Sequence, residues 1–176
     1  DSGQAAEAVN TMLTSPRSGI LPGYNVSASG VDKLNSAIGA IDDQLQTVLT
    51  TAANAGQTVT KQSVADKVLG LMGDVKSLDI APQEKLSTLG SLYKNVINNK
   101  SVPNNIKVDV ANNMKRYIYK ELGSDFYAKF LPISQQVERQ GRMMMATGLK
   151  EGIEKAVPQA GAFNQQMAPL INARNI

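Results

Sequence analysis

The residues available for chemistry in this chain of 176 are few in kind: it has no His and no Cys. The commonest general base, the commonest metal ligand and every thiolate are therefore missing. A carboxylate pair or a Ser/Lys dyad remains. Asp42 and Asp43 are adjacent, so on a helix they diverge, while Glu151 and Glu154 stand among Lys150 and Lys155 on what reads as a charged face. A glycosidase-type pair needs carboxylates about 5 to 10 Å apart across a cleft, and nothing in the spacing points to one. There is no Gly-rich phosphate loop ending in Lys and Ser/Thr, no dinucleotide fingerprint after a strand and no G-x-S-x-G elbow. We therefore expect no enzyme activity, no metal and no cofactor.

Binding residues are concentrated between Ile106 and Pro158, which hold five of the eight Tyr and Phe residues and nine of the 18 Lys and Arg residues. Residues 1–99 carry 7 Lys and Arg against 9 Asp and Glu, residues 100–176 carry 11 against 6, and the whole chain has a net charge of +3. Lys115, Arg116, Lys120, Lys129, Arg139 and Arg142 form a candidate basic surface, facing either nucleic acid or an acidic partner, or simply solvated. A committed nucleic-acid binder usually has denser clusters. Met143, Met144 and Met145 point in different directions on a helix, so either some are core and one is exposed, or they form an adaptable contact surface. Gly141, Gly148 and Gly152 lie roughly along one side of the same segment, each costing about 1 kcal/mol of helix propensity relative to Ala. Close approach of another helix would offset that cost, and with the methionines they form a candidate interface.

The elements that must position these residues read as helices. Hydrophobic residues make up 42% of the chain and aromatics 5%, with no Trp, which suits a core of Leu, Ile, Val, Met and Ala between helices. We expect an all-α, elongated bundle of five to six helices, with an extended arm over residues 1–28 and a single helical domain over 29–176. Pro16, Gly19, Pro22 and Gly23 break the pattern in the arm after a short helix over about Gln4 to Leu13; the arm is either a linker or a strap onto a neighbouring subunit. The start at Asp1 and this Gly/Ser/Pro-rich opening suggest a piece of a longer polypeptide. No stretch reaches the ~18 consecutive apolar residues of a membrane span.

Within 29–98, Ser29 with Asp32 resembles a capping box. Val31, Leu34, Ile38, Ile41, Leu45, Val48 and Ala52 alternate by three and four as a heptad seam, and Gly56 closes the helix. A second helix over about Thr60 to Leu78, with Val64, Val68, Leu71, Val75 and Leu78 inward, would form an antiparallel hairpin with the first. Pro82 and Glu84 open a third helix with Leu86, Leu89, Tyr93 and Val96 inward. Within 103–176, Pro103 and Asn104 open a fourth helix that buries Ile106, Val110, Met114, Tyr117, Ile118 and Leu122. Gly123 to Pro132 divides it from, or kinks it into, a helix from Ile133 to Ala156 carrying Ile133, Val137, Met144, Leu149 and Ile153. Pro158 ends that helix, and a short amphipathic tail helix with Phe163, Met167 and Leu170 inward is broken or bent at Pro169.

The pattern MKRYIYKELGSDFYAKF followed by GLKEGIEKAVPQAGAFN, over Met114 to Asn164, resembles a helical region of very large, poorly characterised proteins of tailed bacteriophages and prophages. Its most specific residues are Gly148, Leu149, Lys150, Glu151, Ile153, Glu154 and Pro158; with the upstream APQEKLSTLGSLYKNVI, the likeness extends over roughly residues 30–170. Pro132 and the Met run depart from the smoother helix of that family. The resemblance implies an internal, head- or tail-associated virion component, made in a bacterial host, packed in multiple copies against other virion proteins and released with the DNA. The alternatives are a DNA-binding module using the basic half and a plain helical scaffold or adaptor.

Overall fold

The computed structural model describes residues 28–123 and 130–174; the expected arm, the helix over Gln4 to Leu13 and Lys129 lie outside them. The described residues form six helices and one small ribbon: α1 (Ala28–Asn54), β1 (Thr58–Thr60), α2 (Lys61–Leu78), α3 (Gln83–Asn98), β2 (Asn105–Lys107), α4 (Val108–Leu122), α5 (Ile133–Ala156) and α6 (Pro158–Arg174). The all-α expectation is met. Contacts divide the described residues into two compact units, one within 28–51 and 157–174 and the other within 52–123 and 130–156.

In the first unit α1 packs on α6. Leu34, Ala37 and Ile41 meet Leu170 and Ala173, with Ile38, Phe163 and Met167 half-buried around them. Arg174 reaches the side-chain oxygen of Asn35 at 3.3 Å. The buried stripe of α1 is rotated from the expected seam. Leu34, Ile41 and Leu45 are inside as expected, but Ala37, Leu49 and Ala53 are buried while Val31, Val48 and Ala52 are only half-buried. A straight helix of 3.6 residues per turn drifts off a strict seven-residue repeat. The tail helix is not broken at Pro169, which lies inside α6 on an exposed face; the carbonyl that its missing N–H cannot satisfy belongs to Gln165, also exposed.

The second unit begins with the end of α1. Gln57 N–H donates to the Ala52 carbonyl and Gly56 N–H to that of Ala53, each at 3.0 Å, and Gly56 has φ 91°. This is the Schellman closure that a left-handed glycine permits. The chain then forms a ribbon not expected from the sequence, β1 pairing antiparallel with β2 with Val59 opposite Ile106. Three-residue strands are too short to show alternation, and Asn105–Lys107 displaces the expected start of the fourth helix from Pro103 to Val108. Thr60 caps α2, its hydroxyl accepting the Ser63 N–H at 3.2 Å.

Helix α5 is the centre of this unit, with α2, α3, α4 and β1 packed on it. Val68, Leu89 and Val137 form a buried cluster, flanked by half-buried Leu71, Met72, Val75, Leu92, Tyr93 and Met145. Helices α4 and α5 are separate: α4 ends at Gly123, φ 61°, and α5 starts after Pro132. Leu78 at the end of α2 and Ile133 at the start of α5, both expected inside, are exposed. Each lies in a terminal turn beyond the reach of the facing helices.

Candidate functional site

The glycines of α5 are already occupied from within. A Cβ on Gly141 would lie 2.6 Å from a Leu92 methyl and 2.9 Å from a Leu89 methyl; on Gly148, 3.1 Å from the Val64 Cα; and on Gly152, 2.6 Å from a Val59 methyl. Close approach does offset their helix cost, but the approaching groups are α3, α2 and β1 of the same unit. These three glycines therefore do not present a free interface. Met143, Met144 and Met145 are all half-buried, and Met145 packs on the core cluster.

Helix α4 departs most from expectation. Its buried face is Val108, Ala111, Asn112, Lys115 and Ile118, so a lysine and an asparagine face inward. Val110 and Tyr117, expected in the core, are exposed, Tyr117 by 62%, and Met114 and Leu122 are half-buried. Val110, Met114 and Tyr117 recur at i, i+4 and i+7, one stripe on one side of the helix. That stripe lines an open groove of about 490 Å³, whose other walls are Lys61 and Val64 of α2, Val96 of α3, Val102 of the following loop, Ile106 of β2, and Arg142 and Met145 of α5.

The groove is apolar with a cationic side. Lys61, 6% exposed, donates to the carbonyls of Asn99 at 3.1 Å and Val102 at 3.0 Å, which ties the α3–β2 loop to α2. An ammonium has three donors, and no carboxylate pairs with Lys61 among the described residues. Arg142 is held to Glu138 one turn away at 3.1 Å. No Asp or Glu lines the groove.

The remaining basic residues are dispersed. Lys115 is 9% exposed, a correction to its expected place on a basic surface: a long apolar stem can be covered on a packed face. Arg139 donates to the carbonyls of Leu122 and Gly123, a cation at the C-terminal end of α4 where the helix dipole favours it. Arg116 and Lys120, one turn apart on α4, are exposed.

Burial holds the Lys115 ammonium below the usual lysine range, nearby Lys150 pushes the same way and Glu154 opposes them. With the folded value depressed, the unfolded chain keeps this proton to higher pH than the folded chain does. Stability should therefore rise as pH increases towards the ordinary lysine value of 10.5. Lys115→Met should remove that alkaline rise and stabilise the chain at pH 7 by about 1 kcal/mol, as read from urea midpoints at pH 7 and pH 10. Asn112 adds to the strain of this seam, its buried amide nitrogen having no hydrogen-bond partner.

A second cleft, about 470 Å³, contains Ser63, Lys67 and Glu151. The Lys67 ammonium is paired with Glu151, and the Ser63 hydroxyl donates to the Thr60 carbonyl at 2.8 Å; neither is poised as base or nucleophile. Asp42 is half-buried and Asp43 exposed. Among the described residues no cluster of three acidic side chains could hold a metal ion, and no helix is long and apolar enough to cross a membrane.

The sequence reading missed Lys61 and placed the groove stripe in the core. The available signal was that α4 has apolar residues on two faces, Val108, Ala111 and Ile118 on one and Val110, Met114 and Tyr117 on the other, more than a one-sided helix needs. Compared with protein-family models, with curated proteins and with solved structures, the chain matches none.

Proposed function

We propose that this chain is a non-enzymatic helical module that works by packing against other protein chains, as a structural or internal component of a bacteriophage particle. One observation supports the contact role above all. Helix α4 turns Asn112 and Lys115 inward while Val110, Met114 and Tyr117 line an open groove. Folding alone would favour the opposite arrangement, since burying apolar surface stabilises by about 25 cal/mol per Å² and burying polar groups costs. Departures of this kind concentrate at functional surfaces. The virion context is supported by the resemblance over Gly148 to Pro158, which here forms the end of α5 and the start of α6.

The DNA-binding alternative has less support, because Lys115 is inside and Arg139 and Arg142 are engaged with neighbouring groups. Mass spectrometry of purified particles from the encoding phage or prophage tests the proposal. The expected result is the chain present at a fixed copy number and retained through washes at high salt. Absence from the particles, or DNA binding that falls steeply with log salt as counterion release dictates, would favour another role.

A further inference from the structure

The groove lies at one end of α2, and a protruding corner lies at the other. Lys61 and Val64 line the groove from the first turn of α2, whereas Leu78 ends the helix. Val64 and Leu78 are fourteen residues apart, about 21 Å at 1.5 Å per residue, so the corner cannot enter the groove of its own unit. At the corner Leu78 is 82% exposed and Ile80 completely so, the two most exposed large apolar residues among those described.

The corner is held in shape. Asp79 N–H donates to the Val75 carbonyl at 3.0 Å, one carboxylate oxygen of Asp79 accepts the Ala81 N–H at 3.0 Å, and the other pairs with Lys85. Leu78 and Ile80 are thus presented on a turn fixed from both sides. Glu84 follows in the first turn of α3, exposed.

We propose that the groove receives the Leu78–Glu84 corner of a second copy of this chain. Leu78 and Ile80 enter along Val110, Met114 and Tyr117, and the Glu84 carboxylate faces Lys61. The charges are complementary: Lys61, which has no carboxylate partner among the described residues, meets an apolar corner beside an exposed acid. Because groove and corner are different surfaces, the contact is head-to-tail and leaves one of each free at the ends. Copies then close into a ring or extend as a filament, according to the rotation. This names the occupant for the contact role proposed above and rests on that role, but not on the virion context.

Sedimentation velocity of the full chain over a range of concentrations, at low salt, tests it. The mass should rise from monomer to dimer and beyond. Ile80→Asp spoils the corner and Tyr117→Asp spoils the groove mouth. Both positions are exposed, so thermal midpoints and circular dichroism should be unchanged. Each variant alone should remain monomeric, and an equimolar mixture should restore a dimer and nothing larger, since the corner of one still fits the groove of the other. A wild-type chain that is monomeric throughout, or a dimer that the mixture does not restore, overturns the proposal. Protection of the groove by a different protein would also overturn it, while leaving the contact role intact.

Discussion

Gly148→Leu should destabilise the second unit by about 3 kcal/mol or more, the upper part of the range for overpacking. The first added atom would already lie 3.1 Å from the Val64 Cα and 3.0 Å from the Lys67 side chain. Lys67 can swing aside, but the backbone of α2 cannot move without disturbing Val64, Ala65 and Val68, all buried. Gly148→Ala is the control. It needs a shift of a few tenths of an ångström, offset by about 1 kcal/mol of helix propensity, so its midpoint should stay near that of the parent. Urea unfolding of the three chains measures this, and equal midpoints for Leu and Ala would show that α2 and α5 are not in close contact at this level.

Leu89→Ala should cost about 2 to 5 kcal/mol, the range for removing a buried leucine side chain. Leu89 is fully buried between Val68 and Val137, and one of its methyls lies against the space left by Gly141. Leu92 also touches that space but is half-buried, so Leu92→Ala should cost less. Total stabilities of about 5 to 15 kcal/mol are ordinary, so the larger loss would be visible as a shifted melting curve. The reverse order would place the core elsewhere.

The sequence made the helices legible because their signals are local. Gly56, Thr60, Pro82 with Glu84, Pro132 and Pro158 each mark a helix end through backbone chemistry that needs no tertiary partner. The ribbon was not legible, since Thr58–Thr60 and Asn105–Lys107 depend on meeting each other across 45 residues of sequence. Nor was the inner face of α4. Val110, Met114 and Tyr117 form the more apolar stripe, and hydrophobic periodicity assigns such a stripe to the core. The choice of face was decided instead by tertiary packing: α5 lies against α4, and Ala111, Lys115 and Ile118 are the residues buried. Sequence periodicity found the groove residues as a set but gave them the wrong neighbour.

The spacing of the α5 glycines shows the converse. Gly141, Gly148 and Gly152 were legible as positions of close approach, and the approach is real. What approaches could not be read, because Leu89, Val64 and Val59 come from three different elements brought together only by the fold.

The chain has no cysteine, so Tyr117→Cys places a single thiol at the mouth of the groove and allows the central claim, that the α4 stripe is a contact surface, to be measured directly. The rate at which a thiol reagent labels this position should be compared between the isolated chain and the chain within its native assembly. The contact role predicts rapid labelling in isolation and strong protection in the assembly. Equal rates in both states would show that the groove remains empty when the protein is at work, and would contradict the account.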